Sequence, residues 1–161
     1  IESEGQLADS GFGQGNILVN PIHMASIYSS FANDGNMIKP YIEYKEDTKS
    51  EILKENVFTK DAANTIKEDL IQVVENPQGT ANDMKVSGVT IAGKTGTAEI
   101  KASKDDTTGT ELGWFSVFTT DKNMERPIMI VSMVEDVKGR GGSGYVVKKD
   151  SQVLEKWFSG N

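Results

Sequence analysis

The feature that most constrains the fold is a series of three apolar segments in the second half of the chain, at residues 90–101, 112–120 and 127–137. The second and third are rich in aromatic and β-branched side chains, which favour strands over helices. The connections at 102–110 and 121–126 are short and polar, and short connections usually join antiparallel neighbours. The pattern predicts a three-stranded antiparallel meander.

Three segments with helical spacing accompany the predicted strands. In the first, Asn20 can cap the helix, Pro21 suits its first position and Gly35 ends it. The second follows the capping residue Thr59 and stops before Pro77. The third has one apolar face, made of Val146, Val147, Val153, Leu154, Trp157 and Phe158. We therefore predict an α+β chain, with an antiparallel sheet of at least three strands packed by amphipathic helices.

The remaining segments are polar. Residues 5–16 contain four glycines among polar residues, which predicts a surface loop. Residues 37–44 alternate weakly and include Pro40, so we expect a short or edge strand. Residues 45–56 are mostly charged and are predicted to form a solvated hairpin or loop.

Composition excludes several classes of function. At 161 residues with 37% hydrophobic content, the chain can form one domain or one large piece of a domain. A net charge of -7 argues against a nucleic-acid partner. Because cysteine is absent, disulfides, thiol catalysis and most structural zinc sites are excluded. No metal or cofactor is expected. No window approaches the ~20 apolar residues of a membrane span, so any anchor is expected outside this chain.

The motif that carries chemistry lies on the first predicted strand and includes Lys94-Thr95-Gly96-Thr97. Acyl transfer at a serine needs donors for a developing oxyanion, a positive charge for a substrate carboxylate, and backbone close to the substrate. Lys94 supplies the charge, Thr95 and Thr97 supply hydroxyl donors, and Gly96 allows a close approach. A Lys-Thr-Gly tripeptide alone is a weak signal, because common residues produce it by chance.

Further motifs stand in a fixed order around this strand. They are Gly11-Phe12-Gly13-Gln14-Gly15, then Asn20-Pro21-Ile22, Val73-Val74-Glu75, Gly79-Thr80-Ala81, residues 93–99 and Gly113-Trp114-Phe115. Together they resemble the C-terminal half of the transpeptidase domain of a class B penicillin-binding protein, over nearly the whole chain. The stretch at 11–21 is most similar to the low-affinity, resistance-associated members of Gram-positive bacteria.

The resemblance implies a partial penicillin-binding/β-lactamase-like fold, that of the serine acyl transferases. It implies a peptidoglycan D,D-transpeptidase that cross-links stem peptides ending in D-Ala-D-Ala through an acyl-serine intermediate and binds β-lactam antibiotics. By the same resemblance, Lys94 orients the site, Thr95 and Thr97 bind the carboxylate, Gly96 permits the approach, and the Thr97 backbone N–H is an oxyanion donor. The parent protein is expected at the extracytoplasmic face of a bacterial cell membrane.

The family's other two motifs are missing from the chain. No serine has a lysine three residues later, so we find no candidate nucleophile. Ser159-Gly160-Asn161 is the only Ser-x-Asn, and its position after Lys94-Thr95-Gly96 indicates chance. Both motifs are expected before residue 1, so the isolated chain is expected to be inactive and to have the N-terminal part of its domain as a partner.

The residues leave two alternatives open. The same fold serves β-lactam sensors and other non-catalytic ligand-binding domains. The chain is also compatible with a purely structural half-domain whose uncovered sheet edge promotes self-association. Of the other residues that stand out, His23 is expected to be a packing or surface residue, and Trp114-Phe115 is assigned to the sheet core.

Overall fold

The computed structural model describes residues 3–15, 17–43, 45–101, 103, 105–121 and 123–160. These residues form helices α1 to α4, a short 3₁₀ helix and strands β1 to β5. In chain order the elements are α1 (Glu4–Gly11), α2 (Pro21–Ala32), β1 (Met37–Ile38), β2 (Ile52–Lys54), α3 (Lys60–Glu75), the 3₁₀ helix Asn82–Met84, β3 (Ile91–Ile100), β4 (Thr110–Thr119), β5 (Met129–Val134) and α4 (Ser143–Ser159).

The three C-terminal strands form an antiparallel sheet in the order β3-β4-β5. In the register between the first two, Gly96 lies opposite Trp114 and Lys94 opposite Ser116. The predicted meander and the α+β fold class are thereby confirmed. The third strand ends at Val134, earlier than the predicted boundary at 137. Two residues later Asp136 adopts a positive φ of 55°, which is incompatible with a continuing strand.

The predicted helix starts are confirmed, because both predicted capping residues make the expected hydrogen bonds. The Asn20 side chain accepts a hydrogen bond from the Ile22 N–H at 2.8 Å. The Thr59 hydroxyl accepts one from the Ala62 N–H at 3.2 Å. Both contacts satisfy backbone donors that the first turn of a helix leaves without intrahelical partners. The amphipathic C-terminal segment is helical as predicted.

The loop predicted over residues 5–16 is wrong for its first half, which is helix α1. The Ser3 side chain accepts a hydrogen bond from the Gln6 N–H at 3.2 Å, and Glu4 places a negative charge in the first turn. This capping outweighs the glycines, because Gly5 and Gly11 lie at the ends of the helix rather than in its interior. Residues 12–15 form a turn, and Asn16 lies outside the described residues.

The predicted edge strand at 37–44 is shorter in the structure, where β1 has two residues. It pairs antiparallel with β2, so the charged stretch at 45–56 closes a hairpin. The described side chains between 45 and 56 are solvent-exposed, as predicted. Tyr44, within both the predicted strand and this hairpin, lies outside the described residues.

Hydrophobic clusters cover both faces of the sheet. On one face Phe115 and Ile91 pack with Val146 and Leu154 of α4 and with Met84 of the 3₁₀ helix. On the other face, Ala92 and Phe118 pack against α2 and α3, through residues such as Phe31, Ala63 and Leu70. The assignment of Phe115 to the core is confirmed, since its side chain is fully buried, whereas Trp114 is partly exposed. Among the described helices, none is both long and apolar enough to cross a bilayer.

A buried acidic group connects α4 to the sheet. Asp150 is 4% exposed, and its Oδ1 accepts a hydrogen bond from the Ser132 hydroxyl of β5 at 2.8 Å. Its Oδ2 has no hydrogen-bond partner among the described residues. Burial penalises the charged form and so raises the pKa of the Asp150 carboxyl, and the Ser132 hydrogen bond opposes this effect.

We expect the Asp150 carboxyl to make stability depend on pH. Because its pKa is raised in the folded state, the fold binds this proton more tightly than the unfolded chain does, and stability falls as pH rises above the ordinary aspartate value of 3.8. Asp150→Asn should therefore be more stable than wild type at pH 7, with an advantage that shrinks as pH falls towards 3.8. Urea unfolding at pH 7 and pH 4 measures this, with exposed Asp83→Asn as control. An advantage independent of pH would contradict it.

Candidate active site

The backbone of β3 presents alternate residues to its two sides. On one side β3 pairs with β4, and the Thr120 N–H continues that pairing by donating to the Thr90 carbonyl at 3.1 Å. In an antiparallel ladder the N–H and C=O of a residue point to the same side, and neighbouring residues alternate. Lys94 and Gly96 therefore bond to β4, whereas Thr95 and Thr97 direct both backbone groups to the opposite edge. No strand among the described residues pairs with that edge.

Two side chains cap carbonyl groups on this free edge. The Lys94 ammonium donates to the Thr95 carbonyl at 2.7 Å. The Gln14 side-chain amide donates to the Thr97 carbonyl at 2.9 Å. Both contacts agree with the orientation expected from the register. The Thr97 N–H must point to the same edge, and none of the described residues accepts a hydrogen bond from it. This N–H is a donor available to a ligand.

The side chain of Thr97 is held by the start of α4. Its hydroxyl oxygen accepts a hydrogen bond from the Ser143 N–H at 3.2 Å. The N-cap residue of α4 is Gly142, which has no side chain to do this, so Thr97 supplies the cap from another element. Because the hydroxyl acts as acceptor here, its own proton remains to be donated elsewhere. The positive end of the α4 dipole lies at the same place.

Thr95 is paired with a second hydroxyl. Its Oγ1 lies 2.7 Å from the Oγ1 of Thr80, which follows α3 in the chain. Thr95 is 8% exposed, so this partner matters to a largely buried polar group. Either oxygen can be the donor. If Thr80 donates, the Thr95 proton is available to an incoming acceptor.

A cleft of about 400 Å³ opens beside these residues. It lies between the end of α3 and β3, and its lining includes Lys94, Thr95 and Thr80. The Lys94 side chain is not part of any ion pair formed by the described residues. Its positive charge is therefore not neutralised by a carboxylate in that part of the chain and can act on an anionic ligand.

The packing around Gly96 does not require a glycine at this position. A Cβ at this position would lie 3.6 Å from the Trp114 Cβ, an ordinary van der Waals contact, and nothing else lies within 4 Å. The expectation that Gly96 allows close approach by a ligand thus remains a prediction. His23 is a surface residue, as expected. Ser159 ends α4 and Gly160 follows it, whereas Asn161 lies outside the described residues.

The structure brings Lys94, Thr95 and Thr97 together, as their spacing on one strand requires. It also adds three residues that we did not assign to the site from sequence, namely Gln14, Thr80 and Ser143. Gln14 and Thr80 lie within motifs that carried the resemblance, so a signal was present. For Ser143 the sequence contains no comparable signal, because its contact depends on where α4 begins.

The comparisons with known proteins decide the family. The sequence profile described as "Penicillin binding protein transpeptidase domain" matches residues 2–155. The chain belongs to the penicillin-binding protein transpeptidase family. It is 40% identical to penicillin-binding protein 3 of Bacillus subtilis over 161 residues, which is 100% of this chain and 23% of that protein. The chain thus spans about a quarter of the length of this curated relative.

Solved structures share the fold. Penicillin-binding protein 2B from Streptococcus pneumoniae matches with a TM-score of 0.72 at 18% identity, covering 100% of this chain and 28% of that one. A ceftriaxone acyl-enzyme complex of penicillin-binding protein A from Mycobacterium tuberculosis matches with a TM-score of 0.69 at 22% identity, covering 92% of this chain and 34% of that one. The predicted penicillin-binding/β-lactamase-like fold is thereby confirmed.

We expect the hydrogen bond between the Thr80 and Thr95 hydroxyls to contribute to the stability of this chain. Thr80→Val keeps the shape of the side chain but leaves the Thr95 hydroxyl without its partner, which should cost about 1 kcal/mol of unfolding free energy. Thr80→Ser retains a hydroxyl and should lose less. Urea denaturation of both variants at one pH gives the comparison. Equal losses for the two variants would show that the hydroxyl pair contributes nothing.

Proposed function

We propose that this chain is the C-terminal part of a peptidoglycan D,D-transpeptidase domain and forms one wall of its acyl-transfer site. The observation that carries the proposal is the position of Thr97, whose N–H and C=O both point to the unpaired edge of β3. Family membership supports a serine-type enzyme, and the site supplies binding groups for its substrate.

The backbone N–H of Thr97 is proposed as one oxyanion donor. Attack on an amide carbonyl places negative charge on its oxygen, and a fixed N–H aimed at that oxygen stabilises the transition state. The hydrogen bond from the Ser143 N–H to the Thr97 hydroxyl holds this residue, and with it the N–H, in place. Preorganisation of this kind reduces the reorganisation needed at the moment of reaction.

Lys94, Thr95 and Thr97 are proposed to bind the terminal carboxylate of D-Ala-D-Ala or the carboxylate of a β-lactam. An ammonium and hydroxyl protons form short, charge-assisted hydrogen bonds to a carboxylate. The cleft beside Lys94 and Thr95 offers the space for such a group. The ceftriaxone acyl-enzyme of the mycobacterial relative supports β-lactams as ligands of this proposed site.

The nucleophile is proposed to come from a part of the protein outside this chain. A serine there would attack the penultimate D-alanine carbonyl, form the acyl-enzyme and release D-alanine, after which a neighbouring amine would accept the acyl group. This chain contains no Ser-x-x-Lys. We propose that the parent is membrane-anchored and acts outside the cytoplasm, and that it belongs to the low-affinity, resistance-associated type.

Exposed apolar side chains support a further part of the same domain as a partner. Five lie between α1 and the first turn of α2, namely Phe12, Ile17, Leu18, Val19 and Ile22. Leu18 is 95% exposed. Such a concentration of exposed large apolar side chains in one segment is typical of an interface. We propose that the rest of the domain covers this surface, and that the isolated chain self-associates through it.

The function is tested by acylation. Mixed with a fluorescent penicillin, the full-length protein should form a covalent adduct, whereas the isolated chain should form none. In the full-length protein Lys94→Gln should lower the acylation rate by roughly a hundredfold, since it removes the charge that binds the carboxylate. Exposed Lys54→Gln is the matched control and should react like wild type. A stoichiometric adduct on the isolated chain would refute the proposal that the nucleophile lies elsewhere.

A further inference from the structure

Gln14 reaches the free edge of β3 from a turn built to hold it. Its backbone N–H donates to the Asp9 carbonyl at the end of α1, at 2.9 Å. On either side of it, Gly13 and Gly15 have φ values of 82° and 83°, which lie in the region that favours glycine. With its backbone fixed in this way, Gln14 directs its side-chain amide to the Thr97 carbonyl, 83 residues away in sequence.

The position that Gln14 occupies is one that a peptide would need. When an extended peptide adds antiparallel to a sheet edge, one of its residues exchanges two hydrogen bonds with the residue opposite, N–H to C=O in each direction. At Thr97 the N–H has no acceptor among the described residues, while the carbonyl is already bonded to the Gln14 amide. The Gln14 side chain thus fills half of the pairing that a peptide strand would make.

A single residue of an acyl donor would pair with both the N–H and the C=O of Thr97. If its carbonyl oxygen accepts from the Thr97 N–H during attack, its own N–H faces the Thr97 carbonyl, because the two bonds belong to one residue pair. The Gln14 amide lies 2.9 Å from that carbonyl oxygen, within hydrogen-bond distance, and already uses one of its two lone pairs. The two donors therefore meet at the same carbonyl oxygen.

Displacing the Gln14 segment would expose no residue of the hydrophobic core. None of the residues of α1 is buried, and on this segment Leu7 is 58% and Phe12 70% exposed. The hydrogen bond that would break has a small net free energy, because a new donor replaces the old one. Covering the edge carbonyl also protects a free strand edge from pairing with other chains while the site is empty.

Resting on the proposed transpeptidase function, we propose that Gln14 is a placeholder for the acyl donor: its side-chain amide caps the Thr97 carbonyl in the empty site and is exchanged for the N–H of the residue whose carbonyl is attacked. Ligands that carry an N–H at this place must displace Gln14. Ligands that carry only hydrogen there leave it bound.

The test uses the full-length protein and two penicillins. Benzylpenicillin has an amide N–H on the carbon next to the attacked carbonyl, and penicillanic acid has hydrogen in that place. Gln14→Ala should raise the second-order rate constant of acylation by benzylpenicillin by about fivefold, because the competing hydrogen bond is gone. Acylation by penicillanic acid should stay unchanged. Gln152→Ala, at an exposed glutamine of α4, is the matched control and should change neither rate constant.

Each other result has a distinct meaning. A benzylpenicillin rate constant that stays unchanged would show that Gln14 is not displaced, and would overturn the proposal. An equal loss with both ligands would show that Gln14 braces β3 instead, which also overturns it. Thermal unfolding midpoints of the variants verify that the fold is intact. If neither penicillin acylates the wild type, the proposed transpeptidase function fails, and the inference fails with it.

Discussion

Strand β3 pairs with another described strand, β4, on one side only, and the arrangement of the candidate site depends on this. Every second residue of this strand gives both backbone groups to β4, and the residues between them face an edge that no described strand covers. Because of this alternation, Lys94, Thr95 and Thr97 do not all present the same groups to the free edge. Lys94 is fixed by the sheet through its backbone and sends its side chain back to the edge, whereas Thr97 offers the edge its own backbone groups.

The two hydrophobic clusters hold β3 in this position. Ile91 is buried on the α4 side and Ala92 on the α3 side, so the strand is anchored on both faces before it reaches Lys94. From Gly96 to Ile100 no residue of the strand is buried. The candidate site therefore lies where the core ends. Thr97 is fixed there by the hydrogen bond from Ser143 rather than by packing, and the Gln14 amide caps its carbonyl.

Local signals explain what could be predicted from sequence. The caps at Asn20 and Thr59 and the apolar spacing of the strands act within a few residues, and these elements were predicted correctly. The predicted loop over 5–16 does not include helix α1, because that prediction rests on four glycines and takes no account of Ser3 as a cap. The pairing of Thr80 with Thr95 and of Gln14 with Thr97 joins residues 15 and 83 positions apart, and only the folded chain brings them together.

The proposed site requires that the Thr97 N–H face the free edge while its neighbour Gly96 bonds to β4. Amide hydrogen exchange measured by NMR on the isolated chain tests this directly, because a bonded strand amide is protected and an unbonded one at an exposed edge exchanges fast. We expect slow exchange at Gly96 and fast exchange at Thr97. Protection of Thr97 equal to or greater than that of Gly96 would contradict it.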